Sequence, residues 1–281
     1  MSSLQDYAEH ETAWCPGCGN FGILNAFKKA VRQLESSGVR RTDIAVTAGI
    51  GCHAKIFDYL DLSGFYSIHG RSMATAQGMK LANPRLKVIA FAGDGDAYGE
   101  GIAHMVFAAK RNADITVIVH NNGTYGLTTG QYTPTSMKGF KGPSTPQGSV
   151  EDPFNPLALL LSAGATFVAR GYPVKLDHLS DLIVRAIMHE GFSLVDVLQP
   201  CVTFNNTYQR YNQSVAELEV VPESFEDSLA AARRTDRLLI GVMRDVQKES
   251  FDRAVLGDKN PATGRVPEEQ RLTAIAAALG Q

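Results

Sequence analysis

The sequence predicts an α/β fold with a doubly wound, mostly parallel sheet, and three observations support this. Apolar residues repeat at helical spacing in several segments, and continuous apolar runs typical of strands buried on both faces lie between them. The two kinds of segment alternate along the chain, as in other α/β proteins. The composition is that of a globular protein, with 44% hydrophobic and 20% charged residues among 281. Ligands are expected at the carboxyl ends of the strands.

Each helix and strand rests on its own pattern. In the first predicted helix, residues 22–34, Ile23, Phe27 and Val31 share one face. Further helices are expected at residues 71–81, 101–111 and 174–190, and strands at residues 43–47, 87–92, 115–119, 166–169 and 194–198. Residues 128–152 are rich in Thr, Gly, Ser and Pro without apolar periodicity, which predicts a long functional or disordered loop.

The residues after Cys201 depart from this alternation. They indicate a few helices, for example over residues 223–234, and a charged stretch around residues 248–259. We therefore expect one domain over residues 1–205. The C-terminal extension, residues 206–281, is expected to pack on the edge of that domain or on a partner.

Charge and hydropathy exclude several classes of protein. The chain has 27 Lys and Arg against 29 Asp and Glu, whereas a nucleic-acid binder would need a clear basic excess. No stretch reaches the roughly 18 to 20 uncharged apolar residues that a membrane span requires. Residues 1–12 are acidic and have no apolar core, so no secretory signal is expected. We expect a cytoplasmic protein that binds neither nucleic acid nor membrane.

Two strands of the expected sheet end in polar residues. Asp94 follows the strand at residues 87–92, and Asn122 follows the strand at residues 115–119. A right-handed crossover places these strand ends side by side. Oxygen donors suit Mg²⁺, so we expect the Asp94 carboxylate, the Asn122 side-chain oxygen and the Thr124 carbonyl as ligands, completed by diphosphate oxygens and water. The alternative is that Asp94 caps the next helix and Asn122 lies in a plain turn.

The chain contains four cysteines, which are Cys15, Cys18, Cys52 and Cys201. Four are too few for a disulfide scaffold of this length, but they are the number that closes one metal or iron–sulfur site. A Cys-x2-Cys pair serves both structural zinc and an iron–sulfur cluster, so spacing leaves the two open. Free buried thiols are a third alternative, which does not explain the Pro-Gly between the first two cysteines.

These motifs together resemble a known family. Gly93-Asp94-Gly95 followed by Asn121-Asn122 resembles the thiamine diphosphate motif that anchors Mg²⁺ and the diphosphate. The segments WCPGCGN at residues 14–20, GIGC at 49–52, IHGR at 68–71 and YGLTTGQ at 125–131 are similar to the β subunits of the 2-oxoacid:ferredoxin oxidoreductases. The similarity runs from about Asp6 to Cys201.

The resemblance implies the thiamine diphosphate-binding (PP-type) fold and a set of site residues. The four cysteines would hold a [4Fe-4S] cluster near the thiamine ring. Lys55 and Leu127 would line the substrate pocket, where Lys55 could pair with the distal carboxylate of 2-oxoglutarate or simply be solvated. Contacts to the cofactor are expected from Gly51, Cys52, His53, His69, Gly70, Arg71, Gly93, Asp94, Gly95, Asp96, Asn122, Thr124, Tyr125, Gly126 and Leu127. For His53, His69 and Arg71 a purely structural role is equally compatible with the sequence.

The activity implied is the coenzyme A-dependent oxidative decarboxylation of a 2-oxoacid, with electrons passing through the cluster to ferredoxin, or the reverse reductive carboxylation. The branch most similar to this chain uses 2-oxoglutarate and forms succinyl-CoA; pyruvate or a broad range of 2-oxoacids is the alternative. The glutamate that pairs with the aminopyrimidine should come from a partner α subunit, in an α2β2 heterotetramer, because neither Glu100 nor Glu190 lies where the motif requires it.

Two other functions remain open from the sequence. One is half of a non-redox thiamine diphosphate enzyme that carries structural zinc on its cysteines, and the other is a zinc-stabilised α/β binding module without catalysis. The chain has no Cys-x2-Cys-x2-Cys-x3-Cys-Pro run, so no ferredoxin-like module of its own is expected.

Overall fold

An eight-stranded sheet forms the middle layer of the computed structural model, which describes residues 11–264 and 266–280. The expectations for residues 1–10, including the start of the domain, lie outside the described residues. The strands are β1 (Ile44–Ala48), β2 (Ser63–Tyr66), β3 (Lys87–Gly93), β4 (Thr116–Asn121), β5 (Phe167–Gly171), β6 (Ser193–Leu198), β7 (Val215–Glu217) and β8 (Leu238–Asp245). Their order is β2-β1-β3-β4-β6-β5-β8-β7, and every pair is parallel except β5 with β8.

Helices cover both faces of this sheet. They are α1 (Asn20–Ser36), α2 (Ser72–Ala82), α3 (Ile102–Arg111), α4 (Pro156–Ser162), α5 (Leu176–Met188), α6 (Tyr208–Ser214), α7 (Phe225–Ala232), α8 (Phe251–Leu256) and α9 (Glu268–Ala278). A 3₁₀ helix over Cys52–Tyr59 and a π-helix over Gly95–Glu100 follow β1 and β3. In the described part of the chain, no helix combines the length and the apolar character needed to cross a membrane.

Two hydrophobic clusters fasten the helices to the sheet. On one face, α1 and α5 pack on the strands through residues such as Phe27, whose ring lies edge-on to Phe91 with 5.0 Å between centroids. On the other face, α2, α3 and α4 bury residues such as Met105. Burying one such side chain contributes about 1.5–3 kcal/mol, so both layers are held firmly against the strands.

The central strands are buried along their whole length, and their register determines which residues follow them side by side. In β4 and β6 every residue is buried, as expected for parallel strands covered on both faces. The register pairs Gly93 at the end of β3 with His120 of β4. The residues that follow these two strands therefore emerge side by side at one edge of the sheet.

The predicted α/β fold is confirmed, and the ten predicted helices and strands each correspond to an observed one within two or three residues at most ends. Residues 128–152 contain no helix or strand, as expected. The strand β8 was missed, because a short apolar run of this kind does not reveal by periodicity whether it forms a strand. It pairs antiparallel with β5, so part of the C-terminal extension completes the sheet. The division at residue 205 stays a prediction.

Candidate active site

A cavity of about 60 Å³ lies at the carboxyl ends of β1, β3 and β4. These strands are neighbours in the sheet, so three chain segments meet there. The lining residues are Ile50, Gly51, Cys52, His53, His69, Gly93, Asp94, Gly95, Asp96, His120, Asn122, Thr124, Tyr125, Gly126, Leu127 and Thr128. All but two of the predicted cofactor contacts are among them. Gly70 and Arg71 are the exceptions.

The geometry brings Asp94 and Asn122 together, as the crossover argument predicts. The Asn122 backbone N–H donates to Asp94 Oδ1 at 3.4 Å, and the Asn122 side-chain oxygen accepts from the Thr124 N–H at 3.0 Å. The hydroxyls of Thr133 and Thr135 donate to Asp94 Oδ2 at 2.5 and 2.6 Å. Both threonines belong to the long irregular segment after β4, and sequence reasoning did not single them out.

Asp94 is a buried carboxylate without a cationic partner. It is 1% exposed, and burial raises its pKa against the effect of the threonine hydrogen bonds. Within the described chain no Lys, Arg or His forms an ion pair with it. A buried negative charge normally needs a cation or a metal beside it. The donor set of Asp94, Asn122 and Thr124 therefore fits a bound Mg²⁺.

Asp96, two residues further on, is held in a different way. His69 Nδ1 lies 3.0 Å from Asp96 Oδ1, and His53 Nε2 lies 3.5 Å from Asp96 Oδ2. The Gly70 N–H donates to Asp96 Oδ1 at 2.6 Å. Burial raises the pKa of Asp96, but the close imidazoles of His53 and His69 outweigh it and hold this pKa well below its usual range. The pKa of His69 is raised in return, chiefly by its pairing with Asp96. Asp96 thus fixes two imidazoles at the cavity wall.

Close packing explains the glycines of the site. A Cβ on Gly95 would collide with the ring of Tyr125, and a Cβ on Gly49 would collide with the Asp96 carboxylate. At Gly93 it would lie 2.8 Å from His53 Nδ1. These positions leave no room for any larger residue, so the backbone itself forms much of the cavity wall.

His120 is a cavity residue that sequence reasoning missed. It is fully buried, its Nδ1 lies 2.8 Å from Asn20 Oδ1, and its Nε2 has no hydrogen-bond partner. Burial lowers the pKa of His120 well below the ordinary value for histidine, so the ring is neutral. The sequence feature that could have indicated His120 is its position at the end of a buried strand, immediately before the Asn-Asn pair.

A second cavity, also about 60 Å³, is lined by all four cysteines. Cys201 is buried, Cys18 and Cys52 are half-buried, and Cys15 is exposed. Burial, with smaller contributions from the other three cysteines, raises the pKa of Cys18 to about 11. Burial and Cys201 likewise raise the pKa of Cys52. The four thiols, from three distant parts of the sequence, therefore surround one space.

The chemistry of these side chains limits the kinds of group that they could hold. Among the described residues, no three His, Cys, Asp or Glu side chains are grouped so that they could hold a single metal ion. A tetrahedral zinc ion needs all its sulfur ligands about 2.3 Å away. The donor set of four sulfurs and no oxygen fits an iron–sulfur cluster and also a zinc ion with four cysteine ligands.

The two cavities share a wall. Cys52, Asn122 and Gly126 line both of them. A Cβ built on Gly126 would lie 3.5 Å from Cys52 Sγ and 3.9 Å from Cys201 Sγ. Asn205, in the loop that follows Cys201, donates to the Asn122 carbonyl at 2.8 Å. The segment that carries Asn122 is therefore in direct contact with the cysteine loops.

The remaining predicted residues are placed less centrally. Leu127 lines the first cavity and is 49% exposed, as a pocket residue open to a ligand would be. Lys55 is half-buried and lies outside the lining, although its charge lowers the pKa of Cys52. Arg71 donates to the Glu100 carbonyl at 3.2 Å and stands beside the cavity. No glutamate is among the lining residues of the first cavity.

The fold and the cavity at its strand ends define a thiamine diphosphate-binding domain. A family model described as "Thiamine pyrophosphate enzyme, C-terminal TPP binding domain" matches residues 49–197. The chain is 49% identical over 214 residues to a 2-oxoacid:ferredoxin oxidoreductase subunit beta from a Sulfolobus species, covering 75% of this chain and 69% of the relative. It is 42% identical over 267 residues to the subunit of the same description from Saccharolobus solfataricus, covering 89% and 87%.

A solved structure agrees with these relatives. It is that of a 2-oxoglutarate:ferredoxin oxidoreductase from Magnetococcus marinus with 2-oxoglutarate, coenzyme A and succinyl-CoA bound. The TM-score is 0.89 at 34% identity, covering 98% of this chain and 96% of the other. The chain belongs to the 2-oxoacid:ferredoxin oxidoreductases and is a β subunit of that family, which confirms the resemblance seen in the sequence.

Proposed function

We propose that this β subunit, together with an α subunit, carries out the coenzyme A-dependent oxidation of 2-oxoglutarate to succinyl-CoA, or the reverse carboxylation, and exchanges electrons with ferredoxin in the cytoplasm. The observation that supports this most directly is the shared wall between the Asp94 cavity and the four-cysteine cavity. A cofactor in the first cavity and an electron carrier in the second would be separated by little more than Cys52 and Gly126.

Within this proposal the chain's own residues have defined tasks. Asp94, Asn122 and Thr124 hold Mg²⁺, and the cysteines hold a [4Fe-4S] cluster. When bound, thiamine diphosphate supplies an electron sink for decarboxylation and the cluster accepts electrons one at a time. The threonine hydroxyls that donate to Asp94 keep its carboxylate oriented, as hydrogen-bond partners of metal ligands do. Asp96 positions His53 and His69 at the wall of the cavity that would hold the cofactor.

The partner subunit completes the site. A glutamate must pair with the aminopyrimidine ring, and among the described residues no glutamate lines the first cavity. We therefore assign that group to the α subunit, in an α2β2 assembly. The extension, residues 206–281, contains α9, whose residues are all exposed or nearly so. In this proposal residues 1–205 form the cofactor domain, and the part of the extension beyond β8 packs against the domain or the α subunit.

The proposed preference for 2-oxoglutarate rests on the similarity to a solved structure and on the charge of Lys55. The structure from Magnetococcus marinus holds 2-oxoglutarate, and Lys55 places a cation on the segment that begins with Cys52. Lys55→Met should therefore raise the Michaelis constant for 2-oxoglutarate at least about tenfold more than that for pyruvate, because only the former has a distal carboxylate. Equal changes for both substrates would remove Lys55 from substrate recognition and favour pyruvate or a broad specificity.

The decisive experiment measures metal and colour together. The α–β enzyme, purified without oxygen, should carry iron and sulfide and show a broad visible absorption that bleaches on reduction. Cys18→Ser should remove that signal, whereas Ser63→Ala, on the edge strand β2, should leave it unchanged. If the enzyme is colourless and binds one zinc ion, the alternative of a non-redox thiamine enzyme with structural zinc is correct.

A further inference from the structure

The loop after β6 directs hydrogen-bond donors at the cysteine sulfurs. Gln199 Nε2 lies 3.6 Å from Cys18 Sγ, and the hydroxyl of Thr203 donates to Cys15 Sγ at 3.2 Å. Two side chains of this loop thus point at the Cys-x2-Cys pair.

The loop is held rigidly, so these contacts are fixed by the fold. The Gln199 N–H donates to the Asn121 carbonyl at 2.9 Å, which continues the pairing of β6 with β4. The Gly19 N–H donates to the Pro200 carbonyl at 3.1 Å and joins the two cysteine-bearing loops. A Cβ on Gly19 would lie 3.0 Å from Gln199 Cγ, so a larger residue would push the amide away from the sulfur.

Gln199 is also a costly residue at this place. It is 1% exposed, and its Oε1 has no hydrogen-bond partner in the described structure. Its Nε2 donates to the Pro200 carbonyl at 2.5 Å as well as facing Cys18. An apolar side chain would fill the same space without leaving a buried oxygen unpaired. We therefore expect the amide nitrogen to be the functional part of this side chain, since it lies against the cysteine cavity.

We propose that Gln199 and Thr203 are positioning residues that set the reduction potential of the group held by the cysteines. This inference rests on the proposed function, in which that group is a [4Fe-4S] cluster. Reduction adds negative charge, which the sulfurs share. A donor N–H or O–H near sulfur stabilises the reduced form more than the oxidised form, and so raises the potential. The effect is larger for Gln199, since a buried hydrogen bond is screened less than an exposed one.

The test is a redox titration of the anaerobic α–β enzyme, followed by the visible and paramagnetic signals of the cluster. Thr203→Val keeps the shape of the side chain but removes the hydroxyl, and its position is exposed, so folding is preserved. Thr203→Ser restores the donor. We expect a more negative potential in Thr203→Val, the native potential in Thr203→Ser, and a larger negative shift in Gln199→Met. Thr263→Val, on the exposed C-terminal segment, serves as the matched control and should change nothing.

The outcomes separate this inference from the proposed function. Full iron content with an unchanged potential in both Thr203→Val and Gln199→Met would overturn the inference and leave the enzyme assignment intact. A native enzyme without iron would overturn both. If Gln199→Met loses its cluster, the comparison of Thr203→Val with Thr203→Ser tests the inference. A role of Thr203 limited to folding predicts the same reduction potential in both variants.

Discussion

The metal site can be tested by weakening it in two graded steps. Asp94→Asn removes the negative charge of the ligand proposed for Mg²⁺, while Thr135→Val removes a hydroxyl that donates to this carboxylate at 2.6 Å. Losing an outer partner of a metal ligand lowers affinity by roughly 10- to 100-fold, and losing the ligand itself should exceed about 100-fold, which is about 2.7 kcal/mol. We therefore expect native > Thr135→Val > Asp94→Asn in affinity for thiamine diphosphate with Mg²⁺.

The same substitutions should leave the ligand-free chain folded. In Asp94→Asn the remaining oxygen can still accept from the Asn122 N–H, and the hydroxyl of Thr133 can reverse its role and accept from the new amide. The loss of stability should thus stay near about 1 kcal/mol. Calorimetric titration of the cofactor into the stripped α–β enzyme measures the affinity, with Asp61→Asn as an exposed control. An affinity of Asp94→Asn within about tenfold of the native value would refute the metal role.

Two further predictions concern the surroundings of Asp96. Gly70→Ala should destabilise the β subunit by at least about 2 kcal/mol in denaturant titrations. The reason is that Gly70 has φ +72° and that a Cβ there would lie 2.6 Å from the backbone of Glu100. The control is Gly78→Ala in α2, where a Cβ would meet nothing within 4 Å, and this variant should be neutral or stabilising. The raised pKa of His69 stabilises the fold below the unfolded value of about 6.5, and this contribution disappears as the pH rises through the folded value. His69→Gln should accordingly lower the unfolding free energy more at pH 6 than at pH 9, and an equal loss at both would contradict the pairing with Asp96.

Much of the site follows from local pattern, because strand ends in a parallel sheet converge by a general rule. The pairing of Asp94 with Asn122 needed only two buried apolar runs and one helical crossover between them. The gathering of four cysteines was also expected, although only the resemblance gave it a reason. In each case the residues stand in short motifs directly after a strand.

The parts that were missed depend on contacts distant in sequence. Thr133 and Thr135 lie in a loop without periodicity, and only its folding back onto β3 brings their hydroxyls to Asp94. The same holds for β8, whose place beside β5 is decided by tertiary pairing with a shift in register. The partners of Asp96 span several segments, so no single motif reveals that it fixes two histidines.

The exposure of Cys15 has a consequence for how such an enzyme tolerates air. Cys15 is the most exposed of the four cysteines, whereas Cys201 is buried. In the proposed enzyme an acceptor protein would take electrons at this open edge, where the path to the metal is shortest. Dioxygen needs no docking surface and can approach by the same opening. In the proposed enzyme, electron exit and sensitivity to oxygen would therefore depend on the same exposed cysteine, and shielding Cys15 against air would also slow electron transfer.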